Sequence, residues 1–125
     1  SIAHQMGEIS DFIVSTRAEM ISLGVTADEP LKKMMDALIK GMNGFTQSLT
    51  CVQVDPIKAE NIIREIRKIE HDIEDIYIEA LARVLRKADA IEALRRREIY
   101  HHMKDASRAL GLAVDILHRI IVSIA

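Results

Sequence analysis

An elongated, antiparallel, up-and-down bundle of four helices, all-α, is predicted by three observations. Apolar residues recur at alternating intervals of three and four along nearly the whole chain, no stretch alternates with period two, and the breaks are short and carry helix-capping residues. A sustained repeat near 3.5 residues implies left-handed packing at roughly 20°, and short connections force neighbouring helices to run up and down. The longest seam is Ile62, Ile66, Ile69, Ile73, Ile76 and Ala80, and the chain reads as organised around it.

The first helix follows Ile2, Met6, Ile9, Ile13, Met20 and Leu23, with Thr16 in one heptad place and Gly24 as its C-cap. Thr26, Asp28 and Glu29 then precede Pro30, whose missing N–H suits the first turn of a second helix. The second seam is Leu31, Met35, Leu38, Met42, Phe45 and Leu49; Gly41 and Gly44 within it mark either close packing or a weak spot, at about 1 kcal/mol each against Ala. Asp55-Pro56 repeats the cap-then-proline punctuation and opens the third helix, which runs to about Arg86. Lys87-Ala88-Asp89 is the next break, with Asp89 as N-cap and Glu92 as its capping-box partner. The fourth seam is Ile99, Met103, Ala106, Leu110, Ala113, Leu117, Ile120 and Ile124, with Ile91 to Arg97 as a separate short turn feeding it.

At 125 residues and 49% hydrophobic, the chain has enough material for one domain with a real core. A net charge of -2, two Tyr, two Phe and no Trp argue against nucleic acid as a partner. A single Cys51 rules out an intrachain disulfide and suits a cytoplasmic, reducing setting, and no apolar run reaches the ~20 residues of a membrane span. The chain starts at Ser1 directly in helical periodicity, as a single helical-bundle domain cut from a longer protein would.

Chemistry concentrates on Glu70 and Glu74. The edge of the third helix reads Ile63, Glu70, Tyr77, Val84, so a carboxylate interrupts an apolar line with a second one turn further on. Two readings stand: local pairing with Arg67 and His71, or two ligands of a hard or borderline cation such as Mg, Mn or Fe. Glu98 and His101 make the one Glu-x-x-His, beside the fourth seam and read as a surface pair; His4 with Glu8 is another, and His71 and His118 read as solvated or locally bonded. Arg83, Arg86, Lys87, Arg95, Arg96 and Arg97 collect around the third loop, either complementing a helix dipole or, at Arg95, Arg96 and Arg97, binding an anionic partner such as lipid headgroups or an acidic protein loop. No nucleophile, base and orienter stand together in sequence, and no glycine-rich phosphate loop occurs, so the reading is not an enzyme.

The segment Ile69-Glu-His-Asp-Ile-Glu-Asp-Ile-Tyr77, continued by Ile78-Glu-Ala-Leu-Ala-Arg-Val-Leu85, resembles the PhoU-like family of phosphate-uptake regulators, in the branch accompanying Pit-type inorganic phosphate transporters. Arg97-Glu-Ile-Tyr-His-His-Met-Lys-Asp-Ala-Ser-Arg108 and Ala113-Val-Asp-Ile-Leu-His-Arg-Ile-Ile-Val122 resemble the family's last helix, and Gly7-Glu-Ile-Ser-Asp-Phe-Ile13 more loosely the helix closing its first half. The resemblance implies a chain lacking the family's first two helices and a non-enzymatic regulatory or accessory role in phosphate transport. The partner it implies is an inorganic phosphate transporter or a membrane-associated regulatory protein, met at the inner face of the membrane. It also implies a metal motif, an acidic residue, three others, then Asp, which survives as Glu70 and Glu74. The other places carry Lys104, Arg108, Gly111, Leu112 and Gly7 before Asp11. The expectation is therefore no resident cofactor, with Glu70 and Glu74 paired to Lys104 and Arg108 in an interhelical ion network in place of a divalent metal. An apolar edge left by the missing helices would be covered in a homodimer. Two alternatives remain, a metal-binding bundle for storage or sensing and a plain helix-helix scaffold.

Overall fold

The computed structural model describes residues 1–87 and 89–124 and contains four helices: α1 (Ile2–Leu23), α2 (Glu29–Cys51), α3 (Pro56–Lys87) and α4 (Ala90–Ile124). Their ends follow from local hydrogen bonding. The Ser1 hydroxyl accepts the His4 N–H at 3.1 Å, Asp28 accepts Leu31 N–H at 3.0 Å, Asp55 accepts Lys58 N–H at 3.1 Å and Asp89 accepts Glu92 N–H at 2.9 Å, each satisfying a donor the first turn leaves free. α1 stops at Gly24, whose φ of 66° is open to glycine; Gly24 N–H then donates to the Ile21 carbonyl and Val25 N–H to the Met20 carbonyl, a double C-terminal cap. The sequence break at 87–89 falls where expected, although residue 88 lies outside the described residues.

Two expectations about the helices change. α4 is continuous from Ala90, so Ile91 to Arg97 is its first two turns and not a separate segment. The capping box at its start is half formed, because the Glu92 carboxylate turns to Arg96 Nε at 2.7 Å instead of returning to the cap.

The helices alternate in direction, and α3 and α4, at 32 and 35 residues, extend the bundle to about 50 Å at about 1.5 Å per residue. α2, α3 and α4 pack against one another as a three-helix bundle, while α1 lies antiparallel along α4 and, among the described residues, brings its backbone close to no other helix. α4 is thus the organising helix, where the sequence placed that role on α3. Its buried arc is correspondingly wide, running from Ile99 and Tyr100 through Met103, Ala106, Leu110, Ala113, Val114 and Leu117 to Ile121; Ile120 and Ile124, expected in the seam, are exposed.

The neighbours of each helix also shift its buried line by one position. α2 faces both α3 and α4, so Met34, Gly41 and Ser48 are buried where Met35, Met42 and Leu49 were expected, and the buried Ser48 hydroxyl donates to the Ala59 carbonyl at 3.0 Å. α3 buries Ile63, Ile66, Ile73, Tyr77 and Ala80 and leaves Ile62, Ile69 and Ile76 half-buried. The line Ile63, Glu70, Tyr77 is therefore turned further toward the core than an edge would be. Gly41 marks close packing: a Cβ there would stand 2.7 Å from Leu110 Cδ2. On α1, Ile9 and Thr16 are buried, the Thr16 hydroxyl donating back to the Phe12 carbonyl at 2.7 Å, while Val14 and Ile21 remain exposed two turns apart.

Candidate functional sites at Glu70, the bundle tip and the α1–α4 seam

Turning the Ile63–Tyr77 line inward carries Glu70 to a half-buried place against α4. There Gly111 makes room for it: a Cβ at Gly111 would stand 2.7 Å from Glu70 Oε2. Glu70 Oε1 is shielded from water and has no hydrogen-bond partner. Burial pushes the carboxyl up to about 7 from an ordinary 4.5; Arg67 pulls it down and Asp115 up, and burial wins.

The ion pairs expected around this carboxylate are redistributed. Arg67 reaches across to Asp115 on α4 at 2.9 Å, and His71 turns to Asp75 at 3.5 Å, so neither forms the local pair with Glu70 or Glu74. Lys104 lies over the Tyr77 ring, its Nζ 4.9 Å from the centroid, and Arg108 is exposed. Among the described residues no ion pair joins Glu70 or Glu74 to Lys104 or Arg108; the network that does bridge α3 and α4 is Arg67–Asp115 and Glu60–His118, at 2.9 and 3.0 Å. The physical reason is reach: the inward turn of α3 puts Glu70 over the backbone of Gly111, while the aromatic face of Tyr77 captures the lysine.

Because the folded protein holds the Glu70 proton more tightly than the unfolded chain, it binds more protons between pH 4.5 and 7, and stability must fall as pH rises through that window. Glu70→Gln removes the cost. After discounting for partial solvent access, the variant is expected to be about 1–2 kcal/mol more stable than the wild type at pH 8 and indistinguishable near pH 4. Urea unfolding at both pH values measures it; an equal difference at both would remove the burial argument.

The second site is the end of the bundle where α3 gives way to α4. Arg96 does not belong to a free basic surface. Its side chain is four-fifths buried and makes a clamp: Nη1 donates to Asp28 at 2.8 Å and to the Thr26 carbonyl at 3.4 Å, and Nε donates to Glu92. The Tyr100 hydroxyl donates to the same Asp28 carboxylate. Burial works against the guanidinium charge, but Asp28, Glu92 and Tyr100 outweigh it and raise its pKa; burial and the bond to Asp28 push the Tyr100 phenol upward. Arg95 and Arg97 remain exposed, with Arg97 3.8 Å from Glu98, and Arg86 and Lys87 are exposed on the last turn of α3. Interleaved with them are Leu85, Ile91 and Leu94, each more than 60% exposed, and a shallow pocket lined by Leu85, Ala90, Ala93, Leu94 and Arg97.

A third group was not foreseen. The sequence directed attention to Glu98 and His101, but His101 turns toward Asp105 and the Tyr77 hydroxyl, at 3.7 and 3.5 Å. His102 is the residue that faces α1, packed against Phe12, and Glu19, Glu98 and His102 bring one ligand atom each within 4.8 Å of one another. The i, i+4 relation of Glu98 and His102 was legible; the α1 partner was not, since nothing in a sequence pairs its first helix with its last.

Against known proteins, no family model, curated protein or solved structure matches this chain.

Proposed function

We propose that this chain is a non-enzymatic accessory domain of inorganic phosphate transport that works by contact, docking its α3–α4 tip on an anionic surface at the cytoplasmic face of a membrane that holds the transporter. The transporter is what the PhoU-like resemblance implies; the tip supports the docking. Exposed Arg86, Lys87, Arg95 and Arg97 alternate with exposed Leu85, Ile91 and Leu94, so cations and apolar side chains reach the same plane. Of the nearby acids, Asp89 caps α4 and Glu92 holds Arg96, while Glu98 stays exposed 3.8 Å from Arg97. Basic residues beside an anionic leaflet contribute about 1 kcal/mol each, screened within a Debye length. No described helix is long and apolar enough to cross a membrane, so such a contact would be peripheral.

Charge reversal of both Arg95→Glu and Arg97→Glu is therefore expected to weaken binding to phosphatidylserine-containing vesicles by roughly 30-fold or more. Arg96→Ala should lower stability and leave vesicle binding unaltered. Co-sedimentation with and without the reconstituted transporter separates lipid from protein contact. Undiminished association of the double reversal in both preparations would show the tip to be an ordinary solvated end.

A further inference from the structure

We infer that Glu19, Glu98 and His102 form a binding site for a divalent transition-metal ion that clasps α1 to α4. The site is separate from Glu70 and Glu74 and independent of the docking proposed for the tip. Two observations carry it. Glu19 comes from α1 and Glu98 and His102 from successive turns of α4, so their donor atoms, two carboxylate oxygens and an imidazole nitrogen, converge from two elements. Glu19 Oε2 and His102 Nδ1 are shielded from water and form an ion-pair contact at 2.8 Å that is too bent for a hydrogen bond, and among the described residues no other group bonds either atom. A contact this short without a hydrogen bond means that the ring nitrogen does not aim at the oxygen.

Two ligands of one ion have that geometry. Bonds of about 2.1 Å hold adjacent donor atoms about 3.0 Å apart at octahedral right angles and about 3.4 Å apart at the tetrahedral angle usual for zinc, with each about 35–45° off the other's bonding axis, so the 2.8 Å pair opens by a few tenths of an ångström on binding. The nitrogen then points at the ion and the oxygen stands beside it. Glu98, more than half exposed and held only by a 3.8 Å contact to Arg97, is free to swing in as the third donor. One imidazole with two carboxylates suits Zn(II), Fe(II), Co(II) or Mn(II), with Zn(II) bound more tightly than Mn(II). The Phe12 ring of α1 lies beside His102, with ring centroids 6.5 Å apart. Since α1 packs along α4, an ion here would hold the outlying helix at the end nearest the docking tip.

The test uses the full chain stripped with chelator and then dialysed against Zn(II), with Co(II) as a spectroscopic probe. The expected result is one Zn(II) per chain and visible Co(II) absorption bands, both lost in Glu19→Gln and His102→Gln. Glu98→Gln, a change at an exposed position with no demand on the core, is expected to weaken binding by roughly tenfold or more while helix content stays constant. Amide hydrogen exchange in α1 should slow on adding Zn(II), with α2 and α3 little changed. Absence of stoichiometric metal, full affinity in Glu98→Gln and His102→Gln, loss confined to Glu70→Gln and Glu74→Gln, or zinc binding without slower exchange in α1 would each overturn the proposal.

Discussion

Asp28→Ala is expected to cost about 2–4 kcal/mol of folding stability, far more than a surface substitution. The carboxylate does two jobs at one point. One oxygen caps α2 through Leu31 N–H, a contact whose loss costs about 1 kcal/mol by itself; the other receives Arg96 and Tyr100 from α4. Removing it leaves a four-fifths buried guanidinium and a buried phenol with fewer partners, a further 1–3 kcal/mol. Asp28→Asn keeps the cap on its one amide oxygen but turns an NH2 toward the Arg96 and Tyr100 donors, so it should lose only about 1 kcal/mol less than Asp28→Ala. Urea midpoints with unchanged slopes would measure both, and a loss in Asp28→Ala no greater than the cap alone would mean that the clamp contributes nothing.

Leu110→Ala should be more damaging still, at about 2–5 kcal/mol, because Leu110 is fully buried between α4 and α2 and little around it can collapse. The informative partner is Gly41. Alone, Gly41→Ala gains about 1 kcal/mol of helix propensity but sets a methyl 2.7 Å from Leu110 Cδ2, an overpacking worth about 1–3 kcal/mol. With Leu110 shortened, the collision disappears and the new methyl fills part of the cavity. The double variant is therefore expected to be about 1–3 kcal/mol more stable than the two single effects added together. Strict additivity in denaturant unfolding would contradict the close approach of α2 and α4.

What was legible in the sequence was local. Gly24, Asp55, Asp89 and the polar run ahead of Pro30 mark helix ends by chemistry that acts within a few residues, and they do so in the structure, where Asp28 is the member of that run that caps α2 and Ser1 is a further cap not read from the sequence. The period of the apolar residues gave helices, but not how many neighbours each one has. A helix with two neighbours buries a broader arc than a single heptad line, which is why Met34 and Ser48 are inside while Leu49 is out. The same shift accounts for the sites. Glu70 reads as an edge carboxylate in the heptad and becomes half-buried once α3 turns toward α4, so its expected cation partners find other residues. Arg96 reads as the middle of a basic run, yet a rotation of about 100° per residue sends it inward while Arg95 and Arg97 stay in solvent. The group at Glu19, Glu98 and His102 depends on a pairing between the first helix and the last, which no local pattern encodes.

That pairing also orders events during synthesis. A ribosome delivers α1, with Ile9 and its flanking Met6, Ile13 and Met20, ahead of α2 and α3, and the helix that covers them emerges only after both. At about 5–20 residues per second, the roughly 100 residues in between take about 5–20 s. Through that interval α1 lacks its partner in this bundle, while α2 and α3 can already collapse on each other. Of these four helices the first is thus the last to meet its partner, so the pairing of α1 with α4 closes the bundle.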